Sequence, residues 1–203
     1  MLRALLVAST ILFSSAFATN ARAGIMVEPY LGYNLLVSDF TFGAAAGPFN
    51  GQSLKIDNTG LGYGLRVGYT VPFLFAALDY SSGSLASSVK EKPAGSTIST
   101  SSSTATSLGA TVGVNLPIIR PYIGYIFDDQ VKSDTSTIYG TGFKVGVGLT
   151  VFPMVKLNAE YVTRTWTKSK GSSGTEESFG DAATYKSGKG SGFFINASIP
   201  LSF

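Results

Sequence analysis

Apolar and polar side chains alternate at every second position in eight segments of this 203-residue chain. In Gly60–Val71, for example, every odd position is aliphatic or aromatic, whereas the even positions hold glycine, arginine and threonine. Alternation with a period of two residues is typical of a β-strand with one apolar and one polar face. The pattern therefore predicts eight strands of roughly ten residues each. The segments are Ile25–Tyr33, Gly60–Val71, Pro72–Tyr80, Thr106–Leu116, Pro117–Tyr125, Gly142–Val151, Pro153–Tyr161 and Phe193–Phe203.

Four of these segments repeat one motif, which ends in a tyrosine eight residues after its start. The four tyrosines are Tyr33, Tyr80, Tyr125 and Tyr161. Tyrosine is favoured in strands of any kind, so its presence alone says little. Because all four lie at the same distance from their segment starts, however, we expect them to form a ring at the outer interface of a membrane.

The connections between the segments alternate between short and long. Those near Pro72, Pro117 and Pro153 are tight turns of a few residues. The long ones are polar and rich in Gly, Ser and Thr, and they cover Ser38–Asp57, Ser82–Ser103, Asp129–Thr137 and Thr167–Lys189. A soluble β-sandwich would turn the apolar faces inward, whereas a membrane barrel turns them outward. The regular alternation of short and long connections favours the barrel. The predicted fold class is an all-β, eight-stranded antiparallel up-and-down transmembrane β-barrel.

Composition supports a membrane protein that is exported. The chain is 44% hydrophobic and only 13% charged, whereas charged residues make up about 25% of a typical soluble domain. Residues 1–23 combine a basic start, the apolar stretch Ala4–Phe17 and the small-x-small sequence Ala21-Arg22-Ala23, which predicts a cleaved signal peptide. A retained anchor is the weaker alternative, because the apolar stretch is short. Residues 24–203 form the predicted barrel domain, which lacks any apolar run near the roughly 20 residues of a membrane helix.

Charge and missing residue types exclude several classes of function. Without Arg3 and Arg22 of the signal peptide, 13 basic residues stand against 12 acidic ones. They are scattered, so we expect no nucleic-acid partner. The chain contains no cysteine and no histidine, which leaves no thiol chemistry and no imidazole base for a serine nucleophile. We therefore predict no catalytic, cofactor or metal residues.

The inward face of the predicted barrel carries a set of charged residues. They are Glu28, Arg66, Asp79, Arg120, Lys144, Lys156 and Glu160, together with Arg164. A tight turn at Pro72 places Arg66 opposite Asp79, and a three-residue turn at Pro153 would place Lys144 opposite Glu160. These charges could line a gated channel or fill the lumen as a structural network. We favour the network, because an eight-stranded barrel is only wide enough for its own side chains or one small ligand.

Two further features of the sequence leave alternatives open. The inward face is rich in glycine, which could open a cavity for a small ligand or make room for inward-facing aromatic rings. Asp128, Asp129 and Asp134 could bind a divalent cation weakly, but we favour the interpretation that they are solvated loop charges.

The strand count, the loop asymmetry and the last segment together resemble the small eight-stranded outer-membrane barrels of Gram-negative bacteria. These include the transmembrane domain of outer membrane protein A and the opacity-type, porin-family surface proteins. The resemblance implies that Ile199, Leu201 and Phe203 form a C-terminal signal for the barrel-assembly machinery. It also implies a monomer embedded in outer-membrane lipid. Because the chain stops at the last strand, it implies no cell-wall tether.

The function expected from these features is that of a non-enzymatic outer-membrane protein. It would contribute to envelope structure and meet a surface ligand or host receptor through its extracellular loops. The alternative is a narrow porin or a carrier for small solutes, hydrophobic ones included. Conductance across a planar bilayer distinguishes the two.

Overall fold

A computed structural model describes residues 23–95, 100–152 and 154–203. The predicted signal peptide lies outside these residues, apart from Ala23. Within these residues the fold consists of eight long strands, two short ones and one 3-10 turn, Ala44–Phe49. The long strands are β1 (Gly24–Phe42), β2 (Ser53–Thr70), β3 (Leu74–Glu91), β4 (Thr100–Val114), β5 (Ile119–Lys132), β6 (Ser136–Phe152), β7 (Val155–Gly171) and β9 (Tyr185–Ser198). The short strands are β8 (Glu176–Ser178) and β10 (Leu201–Ser202).

The long strands close into a ring. Each strand from β1 to β7 pairs antiparallel with the next, and β9 pairs with both β7 and β1. Pro200 has no N–H group to donate, and it separates β9 from β10. The register nevertheless continues across the break, because Tyr30 lies opposite Ser198 and Val27 opposite Leu201. The predicted eight-stranded antiparallel barrel is confirmed.

The two faces of the strands differ sharply in polarity and in exposure. On β2, the Leu61 side chain is 64% exposed on the exterior, whereas Arg66 is 0% exposed in the interior. The four tyrosines of the repeated motif all project from the exterior, and they are 40–45% exposed (Tyr33, Tyr80, Tyr125 and Tyr161). An apolar exterior around a polar interior is the arrangement that a barrel in lipid requires. No helix within the described parts of the chain is long and apolar enough to cross a membrane.

The strands are longer than the sequence predicted, at 14 to 19 residues instead of roughly ten. Much of the predicted long connections Ser38–Asp57 and Ser82–Ser103 is paired strand, with Ser84 opposite Thr104. These extensions carry serine and threonine on both faces. Above the apolar band both faces can be polar, so the alternation fades while the hydrogen-bond ladder continues. The alternation of apolar and polar residues therefore shows where the apolar band of the exterior ends, and the strands extend beyond that point.

Glycines on the inner face make room for aromatic rings. A Cβ atom on Gly64 would overlap the ring of Tyr30, and a Cβ atom on Gly146 would overlap the ring of Tyr122. Of the two roles that the sequence left open for these inward glycines, accommodation of inward rings is the one observed at both positions.

Candidate functional site

Arg66 lies at the centre of a charged network that fills the middle of the lumen. Its guanidinium donates from Nη1 to Glu28 Oε1 at 2.9 Å, from Nε to Asp79 Oδ2 at 2.8 Å and from Nη2 to Glu160 Oε1 at 2.5 Å. The rings of Tyr30 and Tyr122 lie 4.7 and 4.9 Å from the guanidinium carbon. A planar cation with five donors can bridge several carboxylates at once, which explains why arginine occupies this position.

Two further cations complete the network. Arg120 pairs with Glu28, and Lys144 pairs with Asp79. The Lys144 ammonium is also 3.6 Å from Glu160 Oε2. Each of the three carboxylates thus has two cations as neighbours, which offsets much of the cost of removing the charges from water.

Neutral side chains hold the carboxylate oxygens in place. The Tyr30 hydroxyl donates to Asp79 Oδ1 at 2.6 Å, and the Tyr122 hydroxyl donates to Glu160 Oε1 at 2.9 Å. Asn196 Nδ2 donates to the same Glu160 oxygen at 2.9 Å. Asp79 and Glu160 are therefore hydrogen-bonded as well as charge-paired, whereas Glu28 Oε2 and Arg120 Nε make no hydrogen bond to the described residues.

The structure places the sequence-predicted residues as follows. Arg66 lies directly opposite Asp79, at the position that the Pro72 turn predicted. Lys144 lies opposite Val162 and not opposite Glu160, whose partner is Gly146. The predicted pairing was therefore wrong by two positions, although the long lysine side chain still reaches Glu160. Lys156 is buried at 5% exposure, and the described residues give it no ion pair.

A further ion pair in the lumen, between Asp129 and Arg164, was not predicted from the sequence. Asp129, which we interpreted as a solvated loop charge, is 0% exposed. Its Oδ2 lies 2.5 Å from Arg164 Nε, and its Oδ1 accepts a hydrogen bond from the Ser107 hydroxyl. A register shift around Phe127 and Asp128 places two consecutive residues outside and turns Asp129 inward.

Below the network, on the side of the short turns, apolar side chains are buried in the lumen. Met26, Phe75, Ala77 and Tyr122 form a buried cluster there. Directly above the network, a cavity of about 40 Å³ lies between Tyr30, Lys144 and neighbouring side chains. No group of three or more acidic residues in the described parts of the chain could hold a metal ion. The arrangement can brace and block the lumen.

The residues of the predicted C-terminal signal lie at the end of the barrel that carries the short turns. The exposed fraction is 42% for Ile199 and 78% for Phe203. The backbone of Phe203 exchanges two hydrogen bonds with Ile25, of 3.0 and 3.1 Å. Recognition of Ile199, Leu201 and Phe203 by an assembly machinery stays a prediction.

Comparison with known proteins shows which fold this chain shares with solved structures. No protein-family model matches the chain, and no curated protein sequence matches it. Outer membrane protein OprG from Pseudomonas aeruginosa is 10% identical with a TM-score of 0.51, over 91% of this chain and 99% of OprG. Neisserial surface protein A is 18% identical with a TM-score of 0.47, over 88% and 98% of the two chains. The outer membrane protease OmpT from Escherichia coli is 11% identical with a TM-score of 0.36, over 89% and 97%.

At these identities the likeness to OprG concerns the fold alone. The fold is that of an outer-membrane β-barrel, as the sequence predicted. With its closed ring, apolar exterior and charged interior, the protein is built to span an outer membrane.

Proposed function

We propose that the protein is a closed, non-enzymatic barrel that contributes to envelope structure and meets ligands or receptors through its extracellular strands and loops. The observation that carries the proposal is the position of Arg66, on β2, which contacts carboxylates on three other strands. These contacts fill the lumen at its centre and brace the ring across its diameter.

The charged groups are also arranged unfavourably for catalysis. A general acid or base must release or accept a proton near neutral pH. Glu28, Asp79 and Glu160 each lie between two cations, which favour the ionised carboxylate. The sequence contains no histidine that could serve instead. These facts support a structural role for the network.

Planar-bilayer recordings of the refolded protein test whether the lumen is closed. We expect no discrete conductance steps from the wild-type barrel. Migration on unheated gels, which separates folded from unfolded barrels, shows that each preparation is folded. Reproducible unitary steps from folded wild-type protein would overturn the proposal and establish a pore.

A narrow pore or carrier is the second candidate, and one observation favours it. The cavity of about 40 Å³ above the network is lined by polar groups that include Asn34, Ser81 and Ser107. A rearrangement of Lys144 or Arg164 could connect it to the extracellular side. The same recordings test this candidate.

The surface role requires that the polar loops face outward from the cell. Because the chain has no cysteine, single cysteines can report topology without interference. We expect Ser172→Cys, in the exposed turn after β7, to react with a membrane-impermeant maleimide on intact cells. Pro117→Cys, in the exposed turn between β4 and β5, should react only after the outer membrane is permeabilised. The reverse pattern would contradict the proposed orientation.

The envelope role is tested by loss of the protein. A strain without it should be more sensitive to detergents and bile salts, and the wild-type gene should restore resistance. Equal sensitivity of both strains would contradict a role in envelope structure.

A further inference from the structure

A cavity of about 200 Å³ lies inside the extracellular end of the barrel. All eight long strands contribute to its wall, so it is a chamber within the ring and not a groove on the outside. Its lining includes the aromatic residues Phe40, Trp166 and Tyr185, five aliphatic residues, Asn58 and several serines. Its wall therefore combines an apolar surface with hydrogen-bonding groups, as small-molecule sites do.

No charged side chain lines this chamber within the described parts of the chain. The buried carboxylate of Asp129 is paired with Arg164. Burial and the nearby Glu177 carboxylate raise the pKa of the Tyr185 phenol, so this group is neutral as well. A charged molecule would enter without a counter-ion, which is costly. The wall thus selects against ions.

One hydrogen-bond donor in the wall has no partner. Trp166 is 3% exposed, and its indole Nε1 makes no hydrogen bond to the described residues. The space beside this atom is also next to the Ser38 hydroxyl. A Cβ atom built on Gly190 would lie 3.5 Å from Trp166 Nε1 and 3.6 Å from Ser38 Oγ. An unpaired buried donor is unfavourable, so an acceptor oxygen at this point would be stabilised.

We propose that the chamber binds a small, uncharged amphipathic molecule, with an apolar body against the aromatic wall and one oxygen that accepts a hydrogen bond from Trp166. A dry cavity of about 150 Å³ is large enough for benzene, so the chamber accommodates one aromatic ring with a short polar side chain. Binding here does not depend on whether the lumen below is closed.

The protein carries its own reporter for this binding, because Trp166 is the only tryptophan in the chain. The experiment titrates refolded wild-type protein in detergent micelles with 2-phenylethanol and follows tryptophan emission. We expect a saturable change. Ethylbenzene, which lacks the oxygen, should bind about two- to tenfold more weakly, since it cannot accept the indole hydrogen bond. Phenylacetate, which has a similar skeleton and a negative charge, should give no saturable change.

Three variants distinguish the chamber from partition into micelles. Ser103→Leu places a larger side chain in the chamber and should abolish saturable binding. Gly190→Ala places a methyl group beside the indole N–H at ordinary contact distances, so it should fold normally and weaken binding of 2-phenylethanol. Ser102→Leu, the matched control on the outward face of the same strand, should bind like wild type.

Loss of binding in Ser103→Leu and weakening in Gly190→Ala, with retention in Ser102→Leu, would support the proposal. An emission change of equal size and midpoint in all four proteins would show partition into micelles and overturn it. So would phenylacetate binding as tight as that of 2-phenylethanol. Migration on unheated gels shows which variants are folded, and Gly190→Ala alone decides the question if Ser103→Leu does not fold.

Discussion

Replacement of Arg66 by methionine tests whether the lumen network stabilises the barrel. The substitution keeps much of the side-chain length and removes a cation that contacts three carboxylates at 2.5–2.9 Å. Glu28 would still have Arg120, but Asp79 and Glu160 would share the single ammonium of Lys144. Removal of one partner from a buried ionic group typically costs 3–5 kcal/mol. We expect Arg66→Met to lower the free energy of unfolding by about 4 kcal/mol.

Urea-induced unfolding in lipid vesicles, followed by Trp166 fluorescence, measures this free energy. Lys168→Met, at an exposed position on β7, is the matched control and should change it by less than about 0.5 kcal/mol. In Arg66→Met, Glu160 loses one of its two cationic neighbours. Glu160→Gln should therefore lower the free energy of unfolding by about 1–3 kcal/mol less in the Arg66→Met background than in wild type. A loss below about 1 kcal/mol for Arg66→Met, or additive effects of the two substitutions, would refute the reasoning.

Four further substitutions test the assignment of faces by the same unfolding measurement. Leu65→Arg, at the middle of the apolar exterior of β2, should cost about 2–4 kcal/mol, whereas Thr59→Arg above that band should cost less than about 1 kcal/mol; equal costs would contradict the position of the lipid band. Asp129→Asn should cost about 3 kcal/mol, because it leaves the Arg164 guanidinium buried without its carboxylate; a neutral effect would show that this pair is solvated. Gly64→Ala should cost about 1–3 kcal/mol, because its methyl group meets an inward tyrosine ring and a backbone carbonyl, and full stability would contradict the ring's position.

The sequence predicts which residues pair across neighbouring strands only where the pairing can be counted from a turn of known length. The tight turn at Pro72 leaves no room for an irregularity, so counting from it places Thr70 opposite Phe75 and Arg66 opposite Asp79, as observed. The strands on either side of Pro153 contain a register shift between Thr150 and Phe152. The count from the sequence assumed a three-residue turn at Pro153, whereas Phe152 pairs with Val155. Lys144 was therefore misplaced by two positions, and the apolar pattern cannot reveal such an error because it is the same in either register.

The position of Asp129 shows the same limit within a strand. Strict alternation from Tyr125 places Asp128 inside, and only the bulge at Phe127 and Asp128 reverses this order. Nothing in the local sequence marks the bulge. One indirect signal was present, because the predicted lumen held five cations and only three acids, with Arg164 among the cations. A buried arginine without a carboxylate is costly, so a fourth inward acid should have been sought.

The lumen network also bears on why the sheet closes into a ring. An apolar side chain on the exterior meets lipid whether or not the ring is complete, so the exterior contributes little to closure. Arg66 to Glu160, Arg120 to Glu28 and Lys144 to Asp79 each join strands that are not neighbours in the sheet. These contacts can form only when the strands surround a common interior, so their free energy favours the closed ring over separate hairpins. Opening a pore through the same region would leave at least one of these charges without its partner. Stability of the ring and conductance through it therefore oppose each other in this barrel, and the charges favour closure.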